Sequence, residues 1–369
     1  MSSVIDPELK FRSGTVIKDK WKVVKQLGEG GCGVVYQVTG SDGKDWAMKT
    51  ELVSARKEDE ILKMEAYTMR KLSKSTRVCQ LKSCGYTDKF NFIVISLLGP
   101  NLADLRYLCP QQHFTISTAV RLAIQCLAAI QDVHAAGVIH RDIKPSNFAL
   151  GASDTDKRNV YIFDFGLSRE FVSVGPDGKR RVRPPRTDVA FRGTIRYCSV
   201  NVHERKEQGR HDDLWSFLYM MIELLTGRLP WCNKGKEGSK TAKLSIDDRT
   251  LLNKCPAEFL NITKHLRTLD YDAPPNYNLI HHHLTALKTR QRFKDNDPFD
   301  WEEGGSYYQY FVDVDPSSAS EVTDSQMIHR DKGKATDTIK DLGDYLFPES
   351  AKEDTRKGVP SLDTHSSTS

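Results

Sequence analysis

The sequence predicts an α+β fold in which the strands come first and a larger helical section follows. Three observations predict it. Segments rich in β-branched and aromatic residues crowd between residues 21 and about 99. Long apolar segments with helical spacing lie at 116–136 and 211–226. Large apolar residues then thin out after Glu303, where 12 acidic and 7 basic residues are mixed with Ser, Thr, Gly and Pro.

In chain order, residues 1–20 are polar and read as a lead-in. Residues 21–27 and 34–38 read as two strands around a glycine cluster. Ser41-Asp42-Gly43-Lys44 is a hairpin turn signal that feeds a third strand at 46–49. Within 57–72, Ile61, Leu62, Glu65, Met69 and Leu72 recur at helical spacing, and 92–95 reads as another strand. From Leu102 onward the pattern is helical, with further helices expected near 249–270 and 276–290. Residues 304–369 read as a disordered acidic tail.

Composition removes several function classes. The 369 residues carry a formal net charge of +5 and contain no run of about 18 apolar residues, so no spanning helix is expected. The opening residues lack the apolar core of a secretory signal. The eight cysteines are scattered without a CxxC pair, which disfavours a zinc ribbon and suits reduced thiols in the cytoplasm or nucleus. His281, His282 and His283 read as a polar helix start or loop rather than a metal site. The mild net charge hides a split, with +10 on residues 1–303 and −5 after them.

Four motifs carry chemistry. Gly28-Glu29-Gly30-Gly31-Cys32-Gly33-Val34-Val35 joins two strand-like segments, and a hairpin with little side-chain bulk can donate backbone N–H groups to a triphosphate. Lys49 ends the third strand sixteen residues before Glu65, which is spaced to anchor a phosphate-binding ammonium. In His140-Arg141-Asp142-Ile143-Lys144-Pro145-Ser146-Asn147, Asp142 suits a carboxylate that accepts a hydroxyl proton. Lys144 suits neutralisation of a transferred phosphoryl group, and Asn147 offers an amide oxygen to a metal. Asp164-Phe165-Gly166 follows, and its carboxylate suits Mg²⁺.

In this order and spacing the four motifs resemble a eukaryotic protein kinase over residues 21–303. The resemblance implies a bilobal fold, with an N-lobe at about 21–98, a C-lobe at about 99–303 and nucleotide between them. It implies that Leu27, Gly28, Glu29, Gly30, Gly31, Cys32, Gly33, Val34 and Val35 cover ATP. Ala47 and Ile95 line the adenine site, Ser96 and Leu98 bond adenine through their backbones, and Lys49 pairs the phosphates. Asp142 is then the base, Asn147 and Asp164 hold Mg²⁺, and Asp213 braces the catalytic loop or caps its own helix. Lys144, two residues after the base, implies serine/threonine specificity.

Tyr197-Cys198-Ser199-Val200-Asn201 stands where most kinases carry Ala-Pro-Glu, and with Leu98-Gly99-Pro100-Asn101-Leu102 it is similar to the casein kinase I superfamily. Arg183-Pro184-Pro185-Arg186, Phe191-Arg192-Gly193-Thr194, residues 209–216 and Phe299-Asp300-Trp301-Glu302 are closest to the tau-tubulin kinase branch. That superfamily implies acidic or pre-phosphorylated substrates, cytoskeletal ones among them, bound at an anion pocket for which Arg196, Arg192 and Lys236 are the candidates. The expected protein is a monomer without nucleic-acid or membrane partners. The alternative is a pseudokinase scaffold, although Lys49, Asp142, Asn147 and Asp164 are all retained.

Overall fold

The computed structural model describes residues 9–30, 33–53 and 61–312. Gly31 and Cys32 of the glycine cluster, the start of the 57–72 helix and the tail beyond residue 312 lie outside the described residues.

The N-lobe is built on strands β1 (Val16–Ile17), β2 (Trp21–Gly30), β3 (Gly33–Thr39), β4 (Asp45–Leu52), β5 (Leu81–Tyr86) and β6 (Phe90–Ser96), with helix α1 (Ile61–Lys71) between β4 and β5. Among the described residues they form an antiparallel sheet in the order β1-β2-β3-β4-β6-β5. The two-residue period of a strand sorts its side chains onto two faces. Val34, Tyr36, Val38, Met48, Phe92 and Val94 pack on the outer face, while Ala47, Ile93 and Ile95 face Leu62, Ala66 and Met69 of α1.

The lead-in expectation for 1–20 is corrected from residue 9 onward. Leu9 and Ile17 are buried in the outer cluster, Phe11 rests on Tyr36 and Phe90, and the Tyr36 hydroxyl donates to the Leu9 carbonyl at 2.6 Å. The outer face of the sheet is apolar, and this segment removes it from water.

The C-lobe begins with β7 (Leu98–Asn101) and α2 (Leu102–Leu108), whose first N–H groups bond the Asn101 side chain. Helix α3 (Ile116–Ala135) is long and apolar enough by length and composition to cross a membrane, yet most of its residues are buried within the lobe. Short strands β8 (Val138–Ile139), β9 (Phe148–Gly151), β10 (Val160–Ile162) and β11 (Arg169–Glu170) frame the floor of the cleft. The hairpin β12 (Val172–Val174) and β13 (Arg180–Val182) leads on to α4 (Val200–His203). Helix α5 (Arg210–Thr226) is buried at thirteen positions and stops at Gly227. That glycine has φ 81°, and a Cβ there would meet the Gln111 carbonyl at 2.4 Å, so only glycine fits. The lobes meet where the Cys79 N–H donates to Ile162 O and the Ile162 N–H donates to Arg77 O.

The outer helices are α6 (Lys236–Ser245), α7 (Asp248–Leu251), α8 (Glu258–Arg267), α9 (Tyr277–Arg290) and α10 (Gln309–Val312). The single helix expected at 249–270 is two helices, because Pro256 lacks the N–H that would continue one. His281, His282 and His283 lie inside α9 rather than in a loop or at a helix start. The tail does not begin at 304, since Tyr307 and Phe311 still pack on the core. Trp301 supplies that surface, stacked on Phe299 at 5.0 Å.

Candidate active site

The glycine-rich segment is the β2–β3 hairpin. Gly33 has φ 139°, and a Cβ there would sit 1.7 Å from the Thr50 carbonyl, so position 33 excludes any side chain. A Cβ at Gly28 would meet nothing within 4 Å, leaving bare backbone beside open space. Glu29 pairs with Val34, and Gly30 with Gly33, across the hairpin. Leu27, Val35, Ala47, Ile95 and Leu98 gather in one apolar cluster with Ala47 directly opposite Ile95, and Ser96 follows at the end of β6.

Lys49 on β4 reaches its expected partner Glu65 and also Asp164, a contact the sequence did not predict. Its Nζ lies 2.8 Å from Glu65 Oε2 on α1 and 2.9 Å from Asp164 Oδ1. Burial alone would lower the Lys49 pKa, but Asp164 and Glu65 outweigh it and hold the ammonium above the ordinary lysine value. Burial pushes the Glu65 carboxyl up despite Lys49. Burial also opposes ionisation of Asp164, but Lys49, Lys144 and His140 hold its carboxyl below the usual aspartate range. The Asp164 side chain stays 39% exposed, so its carboxylate remains open to the cleft.

Asp142 sits in the buried loop that follows β8. Its Oδ1 accepts the Thr194 hydroxyl at 2.7 Å, and its Oδ2 lies 2.9 Å from Lys144 Nζ. Gly193 lets Thr194 come this close, because a Cβ at Gly193 would strike the Arg141 carbonyl at 2.6 Å. Asn147 donates its amide nitrogen to the Asp142 carbonyl at 2.8 Å, which leaves the amide oxygen to point away from that bond. Asn147 and Asp164 are oxygen donors of the type Mg²⁺ takes, and the donor set is short enough that nucleotide phosphates and water would complete it. Among the described residues no group of three or more His, Cys, Asp or Glu could hold a metal unaided.

Asp213 settles between its two expected roles. It accepts the N–H groups of His140 (2.7 Å) and Arg141 (2.8 Å) and bonds His134 Nε2 (2.8 Å), so it braces the catalytic loop from below. Its neighbour Asp212 does the capping, accepting the Gly209 N–H at 2.7 Å. Burial would raise the Asp213 carboxyl, but the His134 bond and the loop N–H groups hold it below the usual range.

The segment that replaces Ala-Pro-Glu also acquires a physical role. Ser199 Oγ donates to Asp212 at 2.5 Å, and Asn201 donates to the same oxygen at 3.3 Å. Glu223 on α5 accepts the Tyr197 hydroxyl at 2.5 Å and pairs with Arg196 at 3.3 Å.

The three anion-pocket candidates are not gathered in one place by direct contacts. Arg196 turns inward to the buried Glu223, whereas Lys236 lies over the Phe191 ring at 4.7 Å, beside Arg192 in the chain. The lysine that touches the Arg196 neighbourhood is Lys243, which donates to the carbonyls of Ile195 (2.6 Å) and Cys198 (2.7 Å). Sequence reasoning missed Lys243 because nothing in its local sequence marks a lysine for burial, and only packing leaves it 5% exposed. It quoted Thr194 without assigning it a role, and missed His134 because its partners lie 79 and 143 residues away.

With this geometry established, comparison with known proteins is informative. The family described as protein kinase domain matches residues 21–293. A Dictyostelium discoideum protein whose name includes serine/threonine-protein kinase is 36% identical over 294 residues, covering 79% of this chain and 58% of that protein. A Caenorhabditis elegans protein also named as a serine/threonine-protein kinase is 36% identical over 296 residues, with 78% and 84% covered. A third relative, named as a casein kinase I of C. elegans, is 34% identical over 226 residues, covering 61% of this chain and 65% of its own. The chain therefore spans a little over half the length of the Dictyostelium relative.

Proposed function

This chain belongs to the protein kinase family, and from that premise we propose that it is an ATP-dependent serine/threonine kinase acting on acidic or already phosphorylated proteins. One observation carries the reading: the Asp142 carboxylate, held by Thr194 and Lys144, stands in the same cleft as the Lys49–Glu65–Asp164 cluster. Asp142 orients the substrate hydroxyl and takes its proton as the oxygen attacks. Lys144 faces the charge that develops on the phosphoryl group, and Lys49 holds the remaining phosphates. Asn147 and Asp164 would hold Mg²⁺, which would supply neutralisation of phosphate charge. The bare backbone of Gly28 borders open space that suits phosphates.

The substrate preference rests on the excess of +10 over residues 1–303 and on Arg192 and Lys236, while Arg183 and Arg186 are engaged by Glu170 and Glu207. Within the family we place the chain in the casein kinase I superfamily, supported by Tyr197-Cys198-Ser199-Val200-Asn201 in place of Ala-Pro-Glu, and nearest the tau-tubulin kinase branch, supported by Arg183-Pro184-Pro185-Arg186 and Phe299-Asp300-Trp301-Glu302. Cytoskeletal proteins are then reasonable substrates, and a monomer working in the cytoplasm or nucleus without nucleic-acid or membrane partners is the simplest state. The test is a peptide library phosphorylated with labelled ATP by the full chain. Transfer to Ser and Thr flanked by acidic or phosphorylated residues is expected. Asp142→Asn should retain ATP binding and lose transfer by several orders of magnitude. ATP binding without transfer by the wild type would return the pseudokinase reading.

A further inference from the structure

Helix α1 carries Glu65, so whatever holds α1 against the C-lobe sets the position of Lys49. The contact that does so centres on Glu170. Its backbone belongs to β11, which pairs with β8 in the register Glu170↔Val138, on the strand that runs directly into His140-Arg141-Asp142. Glu170 is therefore part of the same rigid unit as the catalytic loop. Its side chain leaves that unit and crosses to α1, where Oε1 accepts the Tyr67 hydroxyl at 2.9 Å and pairs with Lys71. The other oxygen takes Arg183 Nη2 at 3.2 Å, from the segment that follows β13. Thr68 on the same face of α1 meets Ser168 hydroxyl to hydroxyl at 3.0 Å.

A second carboxylate completes the arrangement. Glu207, which is buried, takes Arg186 at 2.5 Å and Arg169 at 3.6 Å. Arg183 and Arg186, three residues apart in the chain, are thus pinned by two different carboxylates, Glu170 and Glu207. Arg141, which precedes the base, donates to the Leu167 carbonyl at 2.5 Å and the Ser168 carbonyl at 3.3 Å, on the strand side of Glu170. In many kinases the loop and α1 are ordered by a phosphate added to the segment, which recruits arginines. Here glutamates stand where positive groups from α1, the catalytic-loop side and the segment converge.

We propose that Glu170 is a positioning residue that clasps α1 to the C-lobe through Lys71 and Tyr67, and so keeps the Lys49–Glu65 pair closed without an added phosphate. It touches no reacting atom and acts through α1. The proposal rests on the kinase reading for its effect on turnover, but its structural part does not.

The experiment therefore reads both. The full chain, treated with phosphatase, is compared with Glu170→Ala, Lys71→Met, the double variant and Glu170→Gln. Amide hydrogen exchange is followed in Ile61–Lys71, with α8 and α9 as internal controls. Steady-state kcat and KM for ATP are measured on the same samples. Glu170→Ala is expected to speed exchange in α1 about tenfold and to lower kcat/KM for ATP about tenfold, with α8 and α9 unchanged. The double variant should lose no more than Glu170→Ala alone, because Lys71 acts on α1 through Glu170. Glu170→Gln, which still accepts from Tyr67 and Lys71, should recover part of the loss. Unchanged exchange in α1, or additive losses in the double variant, overturns the proposal. Faster exchange in α1 together with a wild type that transfers no phosphate overturns the kinase reading and leaves the clasp standing.

Discussion

Replacing Asp213 by Asn tests how the buried floor of the cleft sets up catalysis. The carboxylate accepts from His140 N–H, Arg141 N–H and His134 Nε2 at 2.7–2.8 Å, and the residue is only 2% exposed. An amide has a single acceptor oxygen. The less costly orientation keeps that oxygen on His140 and His134 and turns the NH₂ towards the Arg141 N–H. One buried backbone donor is then left without a partner, at a cost of about 1–3 kcal/mol. Arg141 also sits at φ 67°, a left-handed conformation that costs about 1–3 kcal/mol for a residue of its size. The lost restraint is as large as the strain it holds, so the peptide next to Asp142 is free to relax. Urea unfolding should show a loss of about 1–3 kcal/mol. Steady-state kinetics should show kcat lower by about 10–100-fold, with KM for ATP within about twofold, because Lys49 and Glu65 are untouched. Asp212→Asn is the control, since with one acceptor oxygen it loses either the Gly209 cap or the Ser199 bond but leaves the catalytic-loop N–H groups satisfied. An Asp213→Asn protein with unchanged kcat, or one no slower than Asp212→Asn, would refute the reasoning.

Three further outcomes follow from the same geometry. Thr194→Val keeps the shape but removes the 2.7 Å bond to Asp142, and should lower kcat about tenfold in a phosphotransfer assay without moving the unfolding midpoint. Lys243→Met strands the Ile195 and Cys198 carbonyls and should cost about 2 kcal/mol by chemical denaturation, part of the loss being offset because an ammonium no longer has to be buried. Burial, with Lys243, Lys236 and Lys240 nearby, pushes His203 down to about 3. Its folded pKa lies below its unfolded one, so the unfolded chain takes up the proton first, and stability is full above about pH 6.5 and falls as the pH drops from there towards 3. His203→Gln should flatten that slope in denaturation curves recorded between pH 7 and 5, and an unchanged slope would assign the acid sensitivity to other groups.

The candidate catalytic groups were legible in the sequence because each motif is local. Asp142, Lys144 and Asn147 lie on one short loop, Asp164 follows one strand later, and Lys49 and Glu65 belong to adjacent elements. The strands at 21–30, 33–39, 45–52 and 90–96 and the helices at 116–135, 210–226 and 277–290 were legible for the same reason, since a period of 2 or 3.6 is written in consecutive residues, whereas β1 and β5 were not expected. Composition misled where packing overrides polarity. Leu9, Phe11, Tyr307 and Phe311 sit in polar stretches but cover apolar surface that the sheet and α3 region expose. Only the tertiary structure could decide which of two adjacent aspartates braces the loop, because Asp212 and Asp213 differ by about 100° around α5 and so face different neighbours. It alone also brought Glu170 to Lys71 across 99 residues and turned Arg196 inward to Glu223. Charges at long separation meet only once the chain has folded around a core. The sequence by itself therefore determined which chemistry this protein carries, while the packed structure decided which charged groups hold that chemistry in place.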